Sequence, residues 1–315
     1  MKVLVTGANG FVGKALGAQL LSRGDAVHAA LRSHGASVAA DRSFVVGPIG
    51  AATDWSAALH EVEVVVHLAA RVHVMHETQT DPAALYRETN TIGTLKLAQD
   101  AAHAGVRRFV FVSTAKVHGE ASATGKPFTE TDAPAPGDAY SLSKFEAEEA
   151  LRAFSKAQGM QVVIVRPPLV YGPGVKANFA ALMRAVQRGL PLPLGAVNNL
   201  RSLVGLDNLV DFIITCTRHA AAANQTFLVS DGADVSTPGL IRAMAHAAGR
   251  PARLFPVPVG LLASLASLVG QRAAVDRLCG NLQLDISKAH GLLQWVPPQP
   301  LEAGLQSMLT GAVEC

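Results

Sequence analysis

Lys2-Val3-Leu4-Val5-Thr6-Gly7-Ala8-Asn9-Gly10-Phe11-Val12-Gly13, at the amino terminus, sets the architecture of the chain. Its mostly apolar first five residues read as a buried strand, the glycines at 7, 10 and 13 as a tight turn, and residues 11–23 as a helix closed by Arg23-Gly24. The glycines have distinct duties there. They permit the turn, the close approach of backbone to a pyrophosphate, and the close packing of helix on strand, while the free N–H groups of the helix start suit phosphate oxygens. Strand, turn and helix together predict a dinucleotide site built from Gly7, Asn9, Gly10, Phe11, Val12 and Gly13.

Outward from this unit the alternation continues. Apolar runs at 26–31, 43–47, 62–68, 108–112 and 161–165 are separated by helix-like stretches around 56–60, 82–104 and 141–157. Strands alternating with helices predict an α/β fold with a Rossmann-type doubly wound parallel sheet covered on both faces. After Arg166-Pro167-Pro168 the rhythm changes, with Pro- and Gly-rich connections between helices near 176–188, 207–219 and 237–248. The expected division is a dinucleotide-binding domain at 1–165 plus about 202–230, and a smaller carboxy-terminal substrate-binding lobe at 166–201 plus about 231–315. A cleft between them would take the substrate.

Composition bounds the function. The 315 residues are 49% hydrophobic and 16% charged, and the three cysteines (Cys216, Cys279, Cys315) are too widely spaced to form a disulfide framework. A net charge of +3 with scattered basic residues gives nucleic-acid binding little support. Residues 1–6 run straight into a strand with no signal-peptide pattern, so a cytoplasmic location is expected. The longest apolar stretch, Val257–Val269, falls short of the ~20 residues that span a bilayer and reads as a buried or half-buried helix.

Two further positions carry chemistry. The second strand ends Leu31-Arg32-Ser33, with no carboxylate for the ribose hydroxyls of NAD; Arg32 can pair with a 2′-phosphate and Ser33 can donate to it, so NADP(H) is preferred and NAD remains possible. Tyr140 and Lys144 lie four apart on a predicted helix and so share a face. An ammonium beside a phenol lowers a pKa of about 10 and makes the tyrosine an acid or base, while Thr114 at the end of the fifth strand can hold a carbonyl oxygen. Hydride transfer at a carbonyl is the chemistry this set implies.

Taken together, TGANGFVG at 6–13, His67-Leu68-Ala69-Ala70, Asn90, STAKVHG at 113–119, YSLSK at 140–144 and RPPLVYGPG at 166–174 resemble the extended short-chain dehydrogenase/reductase family, particularly its nucleotide-sugar branch. The resemblance implies Thr114, Tyr140 and Lys144 as the active-site trio, with Lys144 also binding the nicotinamide ribose, and Leu68, Ala69, Ala70, Asn90 and Pro167 as cofactor contacts. It further implies a nucleoside diphosphate sugar in the carboxy-terminal lobe, with Asn178, Leu192 of the PLPLG segment and Arg201 at the nucleotide end, and Arg71, His73 and Lys116 toward the sugar. No metal is implied, and a homodimer through the helices at 82–104 and 138–157 is expected.

Departures from the family pattern narrow the reaction. Ala115-Lys116 follow Thr114 where 4,6-dehydratases carry an Asp-Glu pair, so dehydration loses its acid and base. Arg32 stands near where many 4-epimerases end the second strand in aspartate; Pro48-Ile49 and His118 also depart from common family residues. The expected function is NADPH-dependent reduction at C4 of a UDP-4-keto (2-acetamido-2,6-dideoxy) hexose, in the synthesis of surface-polysaccharide precursors such as lipopolysaccharide O-antigen. The alternatives are a UDP-hexose 4-epimerase, acting on UDP-glucose or UDP-GlcNAc with retained NAD, a non-catalytic NADP-binding regulatory protein, and a steroid- or flavonoid-type carbonyl reductase.

Overall fold

The computed structural model describes residues 1–72, 81–268, 270 and 272–310. Seven parallel strands form the main sheet: β1 (Lys2–Thr6), β2 (Ala26–Leu31), β3 (Arg42–Val45), β4 (Val64–His67), β5 (Arg108–Val112), β6 (Gln161–Arg166) and, at the far edge, β9 (Thr226–Leu228). Their order, β3-β2-β1-β4-β5-β6-β9, reverses direction of winding at β1, the place where doubly wound sheets open a crevice for a dinucleotide.

Both faces of the sheet are covered, which explains why β1 is apolar at successive positions. Val3 and Val5 point to one side and pack with Leu16 and Leu20 of α1 (Phe11–Ser22) and Leu209, Phe212 and Ile213 of α6 (Leu206–Arg218). Leu4 points to the other, against a core that includes Leu97 and Ala101 of α3 (Gly93–His103) and Ala147 and Leu151 of α4 (Ala139–Gln158). Ile286, Ala289 and Leu293, which lead into and form α10 (Ser287–Leu293), join the first of these cores together with Trp295.

A third core lies off the sheet. It gathers Phe179, Met183 and Val186 from α5 (Ala177–Gln187), Leu240, Ile241 and Met244 from α7 (Thr237–Ala247), and Leu305 from α11 (Leu301–Thr310). A short parallel pair, β7 (Leu169–Tyr171) with β8 (Leu203–Gly205), stands between this core and the sheet. Asp231 ties the pair together: its carboxylate accepts from Tyr171 Oη (2.7 Å), Gly205 N (2.8 Å) and Asn208 Nδ2 (2.7 Å).

Several expectations needed correction. Residues 56–60 form turns instead of a helix, although Ala58 and Leu59 still reach the core beside Trp55. The long helix expected at 82–104 is α2 (Pro82–Arg87), a π-helical turn at Glu88–Ile92, and then α3. The apolar run from 257 supplies α8 (Val259–Leu268), where Ala263 and Ala266 are buried while Leu261, Leu265 and Leu268 face outward; Val269 lies outside the described residues. Cys216 is buried and Cys279 partly so, both as free thiols, and Cys315 is likewise not among the described residues. Among the described residues no helix is long and apolar enough to cross a membrane.

The turn after β1 packs against α1 without room for a side chain. A Cβ on Gly13 would lie 2.2 Å from the Gly7 carbonyl oxygen and 2.7 Å from the Ala8 Cα, and Gly7 itself adopts φ +66° with Ala69 N 2.9 Å from where its Cβ would be. Gly13→Ala must push helix and turn apart, at about 1–3 kcal/mol for an overpacked site. We expect a fall of several degrees in melting temperature by circular dichroism; an unchanged transition would show that the turn relaxes freely.

Candidate active site

The dinucleotide end is built on that turn. Gly10 is the N-cap of α1 and no side chain caps the helix, so the N–H groups of its first turn point outward unpaired by side chains. The Ala69 N–H stacks against Gly7, and Thr6 Oγ1 accepts from Leu68 N (3.2 Å) and Ala69 N (3.1 Å). Glycines that admit no Cβ and an uncapped helix start fit a pyrophosphate. Arg32 and Ser33 are exposed just past β2, free to meet a ribose or its phosphate.

Below this turn runs a buried relay. Thr94 Oγ1 donates to the Asn90 carbonyl (2.7 Å), so it accepts from His67 Nε2 (2.9 Å), while His67 Nδ1 accepts from Thr6 Oγ1 (2.7 Å). His67 is thus the neutral tautomer with its proton on Nε2, and burial, with Lys144 adding repulsion, holds its pKa down to about 3. Asn90, in the π-helical turn, spends its amide on Arg71 N (2.8 Å), Arg71 O (3.0 Å) and Ser143 Oγ (2.9 Å). It latches the 71 loop to α4.

The α4 helix is fixed at its start and at its middle. Asp138 caps it in a reciprocal pair with Ser141: Oδ1 accepts from Ser141 N (2.6 Å) and the serine hydroxyl accepts from Asp138 N (3.2 Å). Two turns on, buried Glu148 accepts from Arg166 Nε of β6 (3.0 Å) and from Arg152 Nη2 (2.8 Å). Arg166 Nη1 also donates to His118 Nε2 (2.8 Å), and burial beside that guanidinium lowers the His118 pKa to about 4.

Thr114 and Tyr140 open onto one cavity of about 580 Å³ with Lys116, Asn178 and Arg201, walled mainly by apolar side chains such as Phe179, Leu240 and Leu278. Arg201 is anchored by donating Nη1 to the Arg277 (2.7 Å) and Gly280 (2.9 Å) carbonyls. Leu192 does not line the cavity; its backbone pairs with Arg253 and Phe255 (2.8 and 3.1 Å). Arg71 stacks 5.5 Å above the Tyr86 ring, and Tyr86 meets Tyr140 edge-on at 6.5 Å. Pro167 lends its carbonyl to Ala115 N (2.8 Å), pinning the Thr114 turn to the end of β6, while Pro168 lines the cavity. His73 lies outside the described residues.

The electrostatics correct one expectation. Burial, reinforced by Asp138 and then Tyr86, pushes the Tyr140 phenol up to about 12, not down. Lys144, fully buried with its Nζ 3.9 Å over the Phe111 ring, is itself lowered to about 7 by burial, which Glu148 only partly opposes. Desolvation therefore outweighs the attraction between phenol and ammonium that their spacing on α4 implies. Sequence reasoning also missed Tyr86, Glu120 and Asp138; of these only Asp138 left a signal, as the first residue of an Asp-x-x-Ser helix start.

The family described as the NAD dependent epimerase/dehydratase family matches residues 3–230. A UDP-glucose 4-epimerase of Vibrio cholerae is 48% identical over 305 residues, covering 96% of this chain and 93% of the relative. A GDP-6-deoxy-D-mannose reductase of Pseudomonas aeruginosa is 25% identical over 98% of this chain and 96% of its own length. Among solved structures, a UDP-N-acetylglucosamine 4-epimerase from Bacillus cereus superposes with a TM-score of 0.81 at 19% identity, covering 100% and 97% of the two chains. A UDP-glucuronic acid 4-epimerase from the same organism, in complex with NAD, gives 0.79 at 24% identity over 99% and 96%.

A buried ammonium lowered to about 7 is a destabilising feature with a definite pH signature. Between that value and the ordinary lysine range the unfolded chain holds a proton that the folded chain has lost, so folded stability rises as pH rises through this window. Lys144→Met, measured on coenzyme-stripped protein, is expected to melt a few degrees above wild type at pH 7, with the gap closing toward pH 10. A gap independent of pH would place the lysine in a solvated setting.

Proposed function

The chain belongs to the NAD dependent epimerase/dehydratase family, and from that premise we propose that it is a UDP-hexose 4-epimerase that inverts C4 through a transient ketone. It is an NAD(P)-dependent enzyme of the extended short-chain dehydrogenase/reductase type. The observation that carries the substrate reading is the shared cavity, in which Thr114 and Tyr140 face the same space as Asn178 and the anchored guanidinium of Arg201. The similarity to a UDP-glucose 4-epimerase over nearly the whole chain supports the same reading.

The residues would act as follows. When bound, a nicotinamide coenzyme supplies the acceptor and the donor of the C4 hydride. Tyr140 takes the proton of the C4 hydroxyl as that carbon is oxidised and returns it when the carbonyl is reduced on the opposite face. Thr114 hydrogen-bonds the oxygen at C4 throughout, and Lys144 supplies the positive charge that the phenolate needs. Arg201 pairs with the diphosphate, leaving the sugar free to turn between half-reactions. Gly7, Gly10, Gly13 and the start of α1 hold the coenzyme pyrophosphate.

A second reading rests on Arg32. With Ser33 beside it and no carboxylate at the end of β2, the adenosine site suits a 2′-phosphate, which favours NADPH and a net reduction of a UDP-4-keto hexose. The nucleotide released from purified, denatured protein separates the two. Recovered NAD, with interconversion of UDP-glucose and UDP-galactose in the absence of added coenzyme, supports the epimerase. Protein free of nucleotide that oxidises NADPH in step with reduction of a UDP-4-keto hexose overturns it in favour of the reductase. On either reading Tyr140→Phe is expected to lower kcat by at least about a hundredfold while coenzyme binding, read by fluorescence titration, stays within a few-fold of wild type; retained turnover would remove Tyr140 from the chemistry.

A further inference from the structure

Lys116 follows Thr114 by two residues and occupies the rim of the cavity, yet it is engaged on three sides. Its backbone N–H donates to Thr114 Oγ1 (3.2 Å), and its ammonium bridges Glu120 Oε1 (3.1 Å) and Asp138 Oδ2 (3.2 Å). Asp138 caps α4 two residues before Tyr140. One residue thus joins the turn that carries the threonine to the helix start that carries the tyrosine.

We propose that Lys116 is a positioning residue for the proton transfer: its bridge to Asp138 neutralises the carboxylate that acts on the Tyr140 phenol and holds Thr114 and Tyr140 at a fixed separation. The inference rests on the reading of Tyr140 as the group that carries the proton. Among the described residues, Asp138 at the cap of α4 and Tyr86 of α2, with Arg71 stacked on it, act on this phenol; Lys116, from the turn after Thr114, pairs with Asp138, and Glu120 pairs with Lys116. Of these, Asp138 raises the phenol pKa most after burial itself, so an ammonium 3.2 Å from that carboxylate is well placed to offset it. Without it, a carboxylate next to the phenol opposes formation of the phenolate.

The test is the pH profile of kcat/KM for wild type, Lys116→Met, Lys116→Arg and the double variant Lys116→Met with Asp138→Asn, each in the coenzyme-loaded enzyme with UDP-glucose. Asparagine is as good an N-cap as aspartate, so the helix start survives the second change. Lys116→Met is expected to displace the rising limb by about one pH unit upward, a roughly tenfold loss below the limb, with KM changed less than about threefold. Arginine should restore the limb, and so should removal of the Asp138 charge in the double variant. An unmoved limb, or a loss confined to KM, overturns the proposal and leaves Lys116 as a substrate contact; if Tyr140→Phe also retains turnover, the functional reading fails instead.

Discussion

The contact between Gly13 and the Gly7 carbonyl is the constraint on which the remainder is arranged. A helix can pack so tightly against the strand that precedes it only where neither partner carries a Cβ, and that closeness directs the uncapped start of α1 at the crevice between β1 and β4. The same turn is buttressed from beneath by Thr6, whose hydroxyl serves the 68–69 backbone and His67 at once. From His67 the chain of hydrogen bonds runs through Thr94 to Asn90, and from Asn90 to α4. The glycine turn and α4 therefore belong to one hydrogen-bonded floor.

The structure also shows that this floor is maintained against an electrostatic cost. Lys144 is fully buried and Tyr140 partly so at the cavity wall, and desolvation makes each favour its neutral form, the phenol protonated and the amine close to losing its proton at neutral pH. Sites that bury the groups they need in charged form are set for reaction and not for stability. The buried Arg166–Glu148 pair works the other way, anchoring α4 to β6 with a compensated charge.

Much of this was legible in the chain. The alternation of apolar runs and helical segments yields the sheet, and the glycines at 7, 10 and 13 place its crevice, because both signals arise from local sterics and periodicity. β7, β8 and β9 escaped notice because three residues carry no period, and their pairing depends on partners at least 30 positions away. Residues 56–60 resemble a helix in composition but are too short to sustain one against the turn that buries Trp55. At the site, motif spacing foretold that Thr114 and Tyr140 would share a cavity, whereas the bridge from Lys116 to Asp138 joins residues 22 apart and left no trace in either.

Asp231 collects hydrogen bonds from β7, from β8 and from the first turn of α6, and the backbone passes between sheet and third core near 166, 201, 231 and 282, and again between Trp295 and Leu301. The substrate-facing portion is consequently stitched in, not appended. A chimera that borrowed it from a relative would need several splice points instead of one and would have to preserve that carboxylate's three donors, so recombination is a poor route to reshaping the cavity and stepwise change of its wall a better one.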